Sequence, residues 1–245
     1  MPKQYLYYFI VFNLLFLNKI SAQNSTADSA VYKSAINHIM QLYADSVKEN
    51  LRLYNGTEFT GAYSSNNAGH PFFEYPEPQK GDVFYDGIHY PNVLLSYDLI
   101  HDEIIFMAPD KKMNIKLISQ KVNWFTIPDH LFVYINEDSN SVNFPGSGFY
   151  ELLYEASSSV LAKRRKQLYQ SPKADEASKY IKWDAYYVRK KNVYYNVDDK
   201  HSLLAFCKDH KTEVAKFMKK EKLNFKKSPA NTIVKVIDYY THLKK

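Results

Sequence analysis

The sequence predicts an α+β fold: an antiparallel β-meander of about ten strands, curling into a barrel or half-barrel, with an N-terminal helix and C-terminal helices. Three observations predict it. Apolar residues alternate with period two through the middle of the chain, between stretches where they recur every three to four residues. The composition is rich in side chains suited to pleated surfaces, with 22 Tyr and 15 Phe. Only 7 glycines interrupt the 245 residues.

The chain begins MPKQYLYYFIVFNLLFLNKISAQ. Lys3, an apolar run over 5–17 and the small Ala22 at a cleavage position make residues 1–22 a secretory signal peptide. The apolar run is shorter than the roughly 20 residues a membrane span needs. The mature chain, 23–245, is expected to be one exported domain without a transmembrane segment. No cysteine stands near the cut, so no lipid anchor is expected. Residues 26–53 read as a helix, because Val31, Ala35, Ile39, Tyr43 and Val47 recur every fourth position and Asn55-Gly56 ends the pattern. Residues 60–80 hold three prolines and two glycines. They read as an ordered connection, since Phe72, Phe73 and Tyr75 need somewhere to pack.

The β-meander is placed over 82–197. Asp86-Gly87 between alternating apolar residues is a strong hairpin signal, and a two-residue loop sets Tyr85 opposite Ile88 and Val83 opposite Tyr90. The runs NVLLSYD, EIIFMAP, MNIKLIS, NWFTI, LFVYI, FYELLYE, SSVLAKRRKQL, YIKWDAYYVRK and NVYYNV follow, separated by short turns. Helices fill 201–243. Leu203, Leu204, Phe206, Val214, Phe217 and Met218 form one stripe; Ile233, Val236, Ile237, Tyr240 and Leu243 form another, opened by Ser228 and Pro229.

Composition excludes several chemistries. Cys207 is the only cysteine, so there is no internal disulfide and no multi-cysteine zinc or iron–sulfur site. No H-E-x-x-H occurs, no G-x-S-x-G surrounds Ser157–Ser159, and PGSG at 145–148 lacks the length and lysine of a phosphate loop. No cofactor and no metal are expected. Between Gly81 and Glu103 stand Asp82, Asp86, Asp98, Asp102, Glu103, His89 and His101. Consecutive hairpin turns lie at opposite ends of a sheet, so these acids read as turn punctuation rather than one site. The local group Asp98, His101, Asp102 and Glu103 is expected on an exposed turn.

Charge is uneven. Residues 23–150 carry 8 Lys/Arg and 15 Asp/Glu, net −7; residues 151–245 carry 22 and 11, net +11. Attraction between the halves accounts for this, as does an anionic partner for the basic half. Lys163, Arg164, Arg165 and Lys166, with Arg189, Lys190 and Lys191, lie on neighbouring strands near Trp183. If those strands pair, the cations are expected to gather at one end of the sheet as a binding patch; a charged, soluble edge is the plainer alternative. His70, before Pro71 in an aromatic loop, is a further binding candidate, or a loop histidine fixed by hydrogen bonds.

The pattern GHPFF…G-V-YDG--Y-NV-L-YDL--DEI and the ending FCKDHKTEVAKFMKKEKLNFKK resemble a group of exported Bacteroidota proteins, from about Leu53 to the end of the chain. The resemblance implies a bacterial envelope location, periplasmic or extracellular, and supplies no catalytic residue. The function expected is therefore non-enzymatic binding of an apolar ligand, an anionic envelope component or a partner protein, with no nucleic acid as partner. The alternative is a hydrolase using His70 with a nearby carboxylate.

Overall fold

The computed structural model describes residues 34–36, 38–39, 52–61, 63, 67–137, 140–173 and 176–243. The signal peptide expected over 1–22 lies outside the described residues, as does most of the helix expected over 26–53, of which 34–36 and 38–39 are helical. The chain divides into two units, 1–48 and 49–245. Everything below concerns the second.

Period-two patterning gives eleven strands in one antiparallel sheet. They are β1 (Thr57–Glu58), β2 (Gln79–Tyr85), β3 (Ile88–Asp98), β4 (Glu103–Met107), β5 (Asn114–Lys116), β6 (Val122–Ile127), β7 (His130–Ile135), β8 (Gly148–Glu155), β9 (Ser159–Tyr169), β10 (Lys179–Lys190) and β11 (Val193–Asn196). The Asp86-Gly87 hairpin forms in the expected register, Val83 opposite Tyr90 and Tyr85 opposite Ile88. Both turn residues have positive φ, 51° and 83°, as such a tight loop requires. Pro91 does not break the strand. At Asn92 the backbone turns to φ 55°, and Asp82 clasps the bend by accepting from Asn92 N at 2.9 Å while His89 Nε2 lies 3.0 Å from its other oxygen.

The order is not a simple meander. It runs β1-β5-β4-β3-β2-β6-β7-β8-β9-β10-β11, so β2 lies between β3 and β6. β5 is only three residues long, and a 3-10 turn at Ser119–Lys121 carries the chain to the far side of β2. The sheet does not close, since β1 and β11 end the order. Its ladder is nevertheless extended past the start of β8, where Lys166 N donates to Leu99 O at 3.2 Å.

Two cores share one face of the sheet. Tyr97, Phe125, Phe132 and Phe149 dominate the first, with Phe125 and Phe132 stacked at 4.8 Å and Tyr97 within 5.8 Å of all three. The second lies over β8–β10, where α1 (Lys200–Phe206), α2 (Lys211–Lys220) and α3 (Pro229–Leu243) cover Val160, Ala162 and Val188. Of the expected stripes Leu203, Leu204, Val214 and Met218, then Ile233, Val236, Ile237 and Tyr240 are buried, while Phe206, Phe217 and Leu243 are half-buried. Among the described residues no helix is long and apolar enough to cross a membrane.

Candidate functional site

Within the connection expected at 60–80, residues 67–78 form a strap across the sheet. Ala68 pairs with Lys179 at the start of β10, and Phe72 pairs with Asp98 at the end of β3. Phe73 N donates to Tyr97 O at 2.8 Å, and Leu99 N donates to Pro71 O at 3.1 Å. Lys166 reaches the strap from β9, its Nζ donating to the carbonyls of His70 and Phe72 at 2.9 and 2.6 Å.

A cavity of about 330 Å³ lies against the strap. Its floor is the face of β3–β5 turned away from the aromatic core, through Ser96, Ile105, Met107 and Asn114. Phe59, Tyr63, Phe72 and Tyr180 form its walls, each ring within 6.5 Å of Tyr63. Such a concave, mostly apolar space with a few polar groups is the common form of a small-molecule site.

His70 lines this cavity and stacks on Phe72 at 6.3 Å. Its Nδ1 is buried without a hydrogen-bond partner, and burial, then the nearby Lys166, lowers its pKa. Neutral imidazole is therefore favoured at pH 7. Among the bonds of the described residues none joins His70 to a carboxylate.

A histidine–carboxylate pair forms instead at the neighbouring turn. Asp98 is fully buried, which corrects the expectation of an exposed turn at that residue, while His101 is exposed as expected. One oxygen accepts from the backbone N–H of Ile100 and His101 at 2.8 and 3.3 Å. The other accepts from the Tyr63 hydroxyl and lies 2.9 Å from His101 Nδ1. Burial, then the bond to Asp98, pushes the Tyr63 phenol well above its ordinary range, so it stays a donor. The His101 side chain is 56 % exposed, and no bond among the described residues engages its Nε2. Asp98, His101 and Glu103 bring ligand atoms within 4.8 Å of one another. Hydrogen bonds already occupy these donors, and Glu103 pairs with Lys116 at 3.2 Å. Metal binding is not needed to explain the cluster.

The remaining acids of this stretch are also structural. Asp102 accepts from Tyr97 Oη and Lys163 Nζ, each at 2.6 Å. Gly148 packs so closely that a Cβ there would lie 2.2 Å from Asp102 Oδ2.

The basic patch expected from the sequence does not assemble. Strand alternation sends Lys163 and Arg165 to one face and Arg164 and Lys166 to the other. Arg164 is buried between Glu151 and Asp184, 2.5 Å from each, and touches the Tyr186 hydroxyl at 3.2 Å. Burial alone would lower its pKa, but the two carboxylates outweigh this and raise it. Lys163 is 4 % exposed; burial lowers its pKa against the opposing pull of Asp102. Arg189 pairs with Ser159 across the ladder, whereas Arg165 pairs with Trp183. The six-residue offset separates them by about 20 Å along β9. Lys190 lies opposite Val193, and Lys191 occupies the following turn with φ 54°. Of the expected patch, Arg165 and Trp183 do meet, with the guanidinium 5.0 Å from the indole centre.

Sequence reasoning missed Tyr63, Ser96, Met107 and Tyr180 in the cavity. They converge from four separate segments, and no local spacing marks them. No family model, curated protein or solved structure matches the chain.

Proposed function

We propose that this is an exported, non-catalytic binding protein of a bacterial envelope, whose cavity beneath the strap takes a small, largely apolar molecule. The observation that carries the reading is the lining: Phe59, Phe72, Ile105 and Met107 supply apolar contact, while Ser96, Tyr63 and His70 supply a few polar atoms. The strap supports it further. Held by backbone bonds at both ends, it closes the site without the large ordering cost of a free loop. Its bonds, with the Lys166–Leu99 bond, also favour a half-barrel shape for the sheet.

Native mass spectrometry of protein purified from its host envelope tests this. Wild type is expected to carry a small molecule that Ser96→Leu, which fills the cavity floor, excludes while still melting cooperatively. Equal occupancy in both forms, or none in wild type, overturns the reading.

A second reading rests on the Asp98–His101 pair. A buried carboxylate fixing Nδ1, with Nε2 facing outward, is the arrangement of a general base. Hydrolysis of a p-nitrophenyl ester abolished by His101→Gln would favour this reading over the first.

A further inference from the structure

The Arg165–Trp183 pair stands apart from the strap cavity, on the face of β9 and β10 that the helices do not cover, beyond the buried Leu161 and Lys163. Trp183 is 46 % exposed, and its neighbours on that face, Tyr169 and Ile181, are 48 % and 43 % exposed. A large aromatic left half-open on a sheet face loses the stabilisation its burial would bring. Arg165 is exposed and forms no ion pair among the described residues, in contrast to Lys163 and Arg164. Its stacking on the indole holds the planar guanidinium in place, so its N–H edge is set before any ligand arrives. Beside the pair lies a cavity of about 450 Å³ whose lining includes Ser147, Lys163, Gln167 and Asp102. The Asp102 carboxylate is matched by Lys163, so it does not set a net negative field there. Lys166 also lines the cavity, but its Nζ is held on the other face by the His70 and Phe72 carbonyls.

We propose that this face binds an acidic sugar, a uronate unit of an envelope glycan. The Arg165 fork takes the carboxylate through two parallel hydrogen bonds. The apolar C–H face of the sugar ring packs on the exposed edge of Trp183, and Gln167 and Ser147 supply hydrogen bonds to hydroxyl groups. A lipid surface fits less well. It needs several free cations together, and Arg189, Lys190 and Lys191 lie too far along the sheet to join Arg165. The site is independent of the strap cavity, so either proposal stands without the other.

Oligogalacturonate titrated into the mature protein tests the assignment. Trp183 is one of only two tryptophans, so binding is read as saturable quenching of tryptophan fluorescence. Arg165→Gln is expected to weaken binding by about tenfold or more, the scale of a lost charge-assisted fork. Arg165→Lys, which keeps the charge but not the fork, is expected to fall between. Trp183→Phe should abolish the quenching, and both arginine variants should melt as wild type does. Maltotriose, neutral and otherwise similar, should not bind, and inorganic phosphate at equal concentration should not compete. Undiminished binding by Arg165→Gln, binding of maltotriose, displacement by phosphate, or no quenching in wild type overturns the proposal.

Discussion

Adjacent residues 164 and 165 carry the same side chain and do opposite work. Arg164 neutralises Glu151, which is 3 % exposed, and Asp184, while Glu151 also lies 2.5 Å from His130 Nδ1. Removing the guanidinium takes from Glu151 and Asp184, whose side chains are 4 % and 15 % exposed, the cation they share. Arg164→Gln is therefore expected to cost about 3–5 kcal/mol, the usual penalty for breaking a buried pair. For a domain of this size that lowers Tm by roughly 10 °C. Arg165→Gln, at an exposed position, should change stability by less than about 0.5 kcal/mol. Melting curves of the two variants decide it, and equal losses would refute the assignment. The run of four cations was legible as a strand, and its period of two already implied that neighbours part to opposite faces. What the sequence did not disclose is which face carries the carboxylates. Glu151 is 13 residues from Arg164 and Asp184 is 20, brought together only by pairing on both sides of β9.

The strap gives a pH dependence at the scale of an element. His70 has a folded-state pKa below its ordinary 6.5, first because of burial and then because of Lys166. Between the folded and unfolded values the unfolded chain binds more protons, so stability falls as pH drops below about 6.5. The loss grows until the folded pKa is reached. His70→Gln removes this contribution, and hydrogen exchange across 67–78 locates it. Between pH 7.5 and 5.5 the wild-type strap is expected to lose more protection than the variant, and parallel curves would exclude the effect. Elements were legible where signals are local. Asp86-Gly87 sets the register of β2 and β3, and the apolar stripes set α2 and α3. The passage from β5 to β6 was not, because strand periodicity says nothing about which side of β2 the chain returns to. The cavity was illegible for the same reason: Tyr63 meets Asp98 across 35 residues and Asn67 meets Tyr180 across 113.

Across residues 49–245 the two cores sit on one continuous sheet, and β8 belongs to both, through Phe149 in the first and Leu153 and Tyr154 in the second. Phe149 of β8 packs in the aromatic core, while Val160 and Ala162 of β9 pack under the helices. Between them Glu151 and Arg164 form a buried ion pair. The C-terminal helices are therefore not an appendage to the sheet. From α3 alone Ile233, Val236 and Ile237 are fully buried and Tyr240 is 5 % exposed. At about 1.5–3 kcal/mol for each large apolar side chain, their burial contributes roughly 6–12 kcal/mol. That is comparable to the whole net stability of an ordinary domain, about 5–15 kcal/mol. A chain ending at Lys227 should thus lose the cooperative transition of the entire unit, not only of its C-terminal part. The measurement is thermal unfolding followed at two places, far-UV signal for the sheet and, in a Trp183→Phe background, fluorescence of Trp124 on β6, the strand whose Phe125 packs in the aromatic core. Coincident loss of both is expected. A truncated protein that keeps a sharp transition at Trp124 would show instead that the aromatic half folds without the helical one.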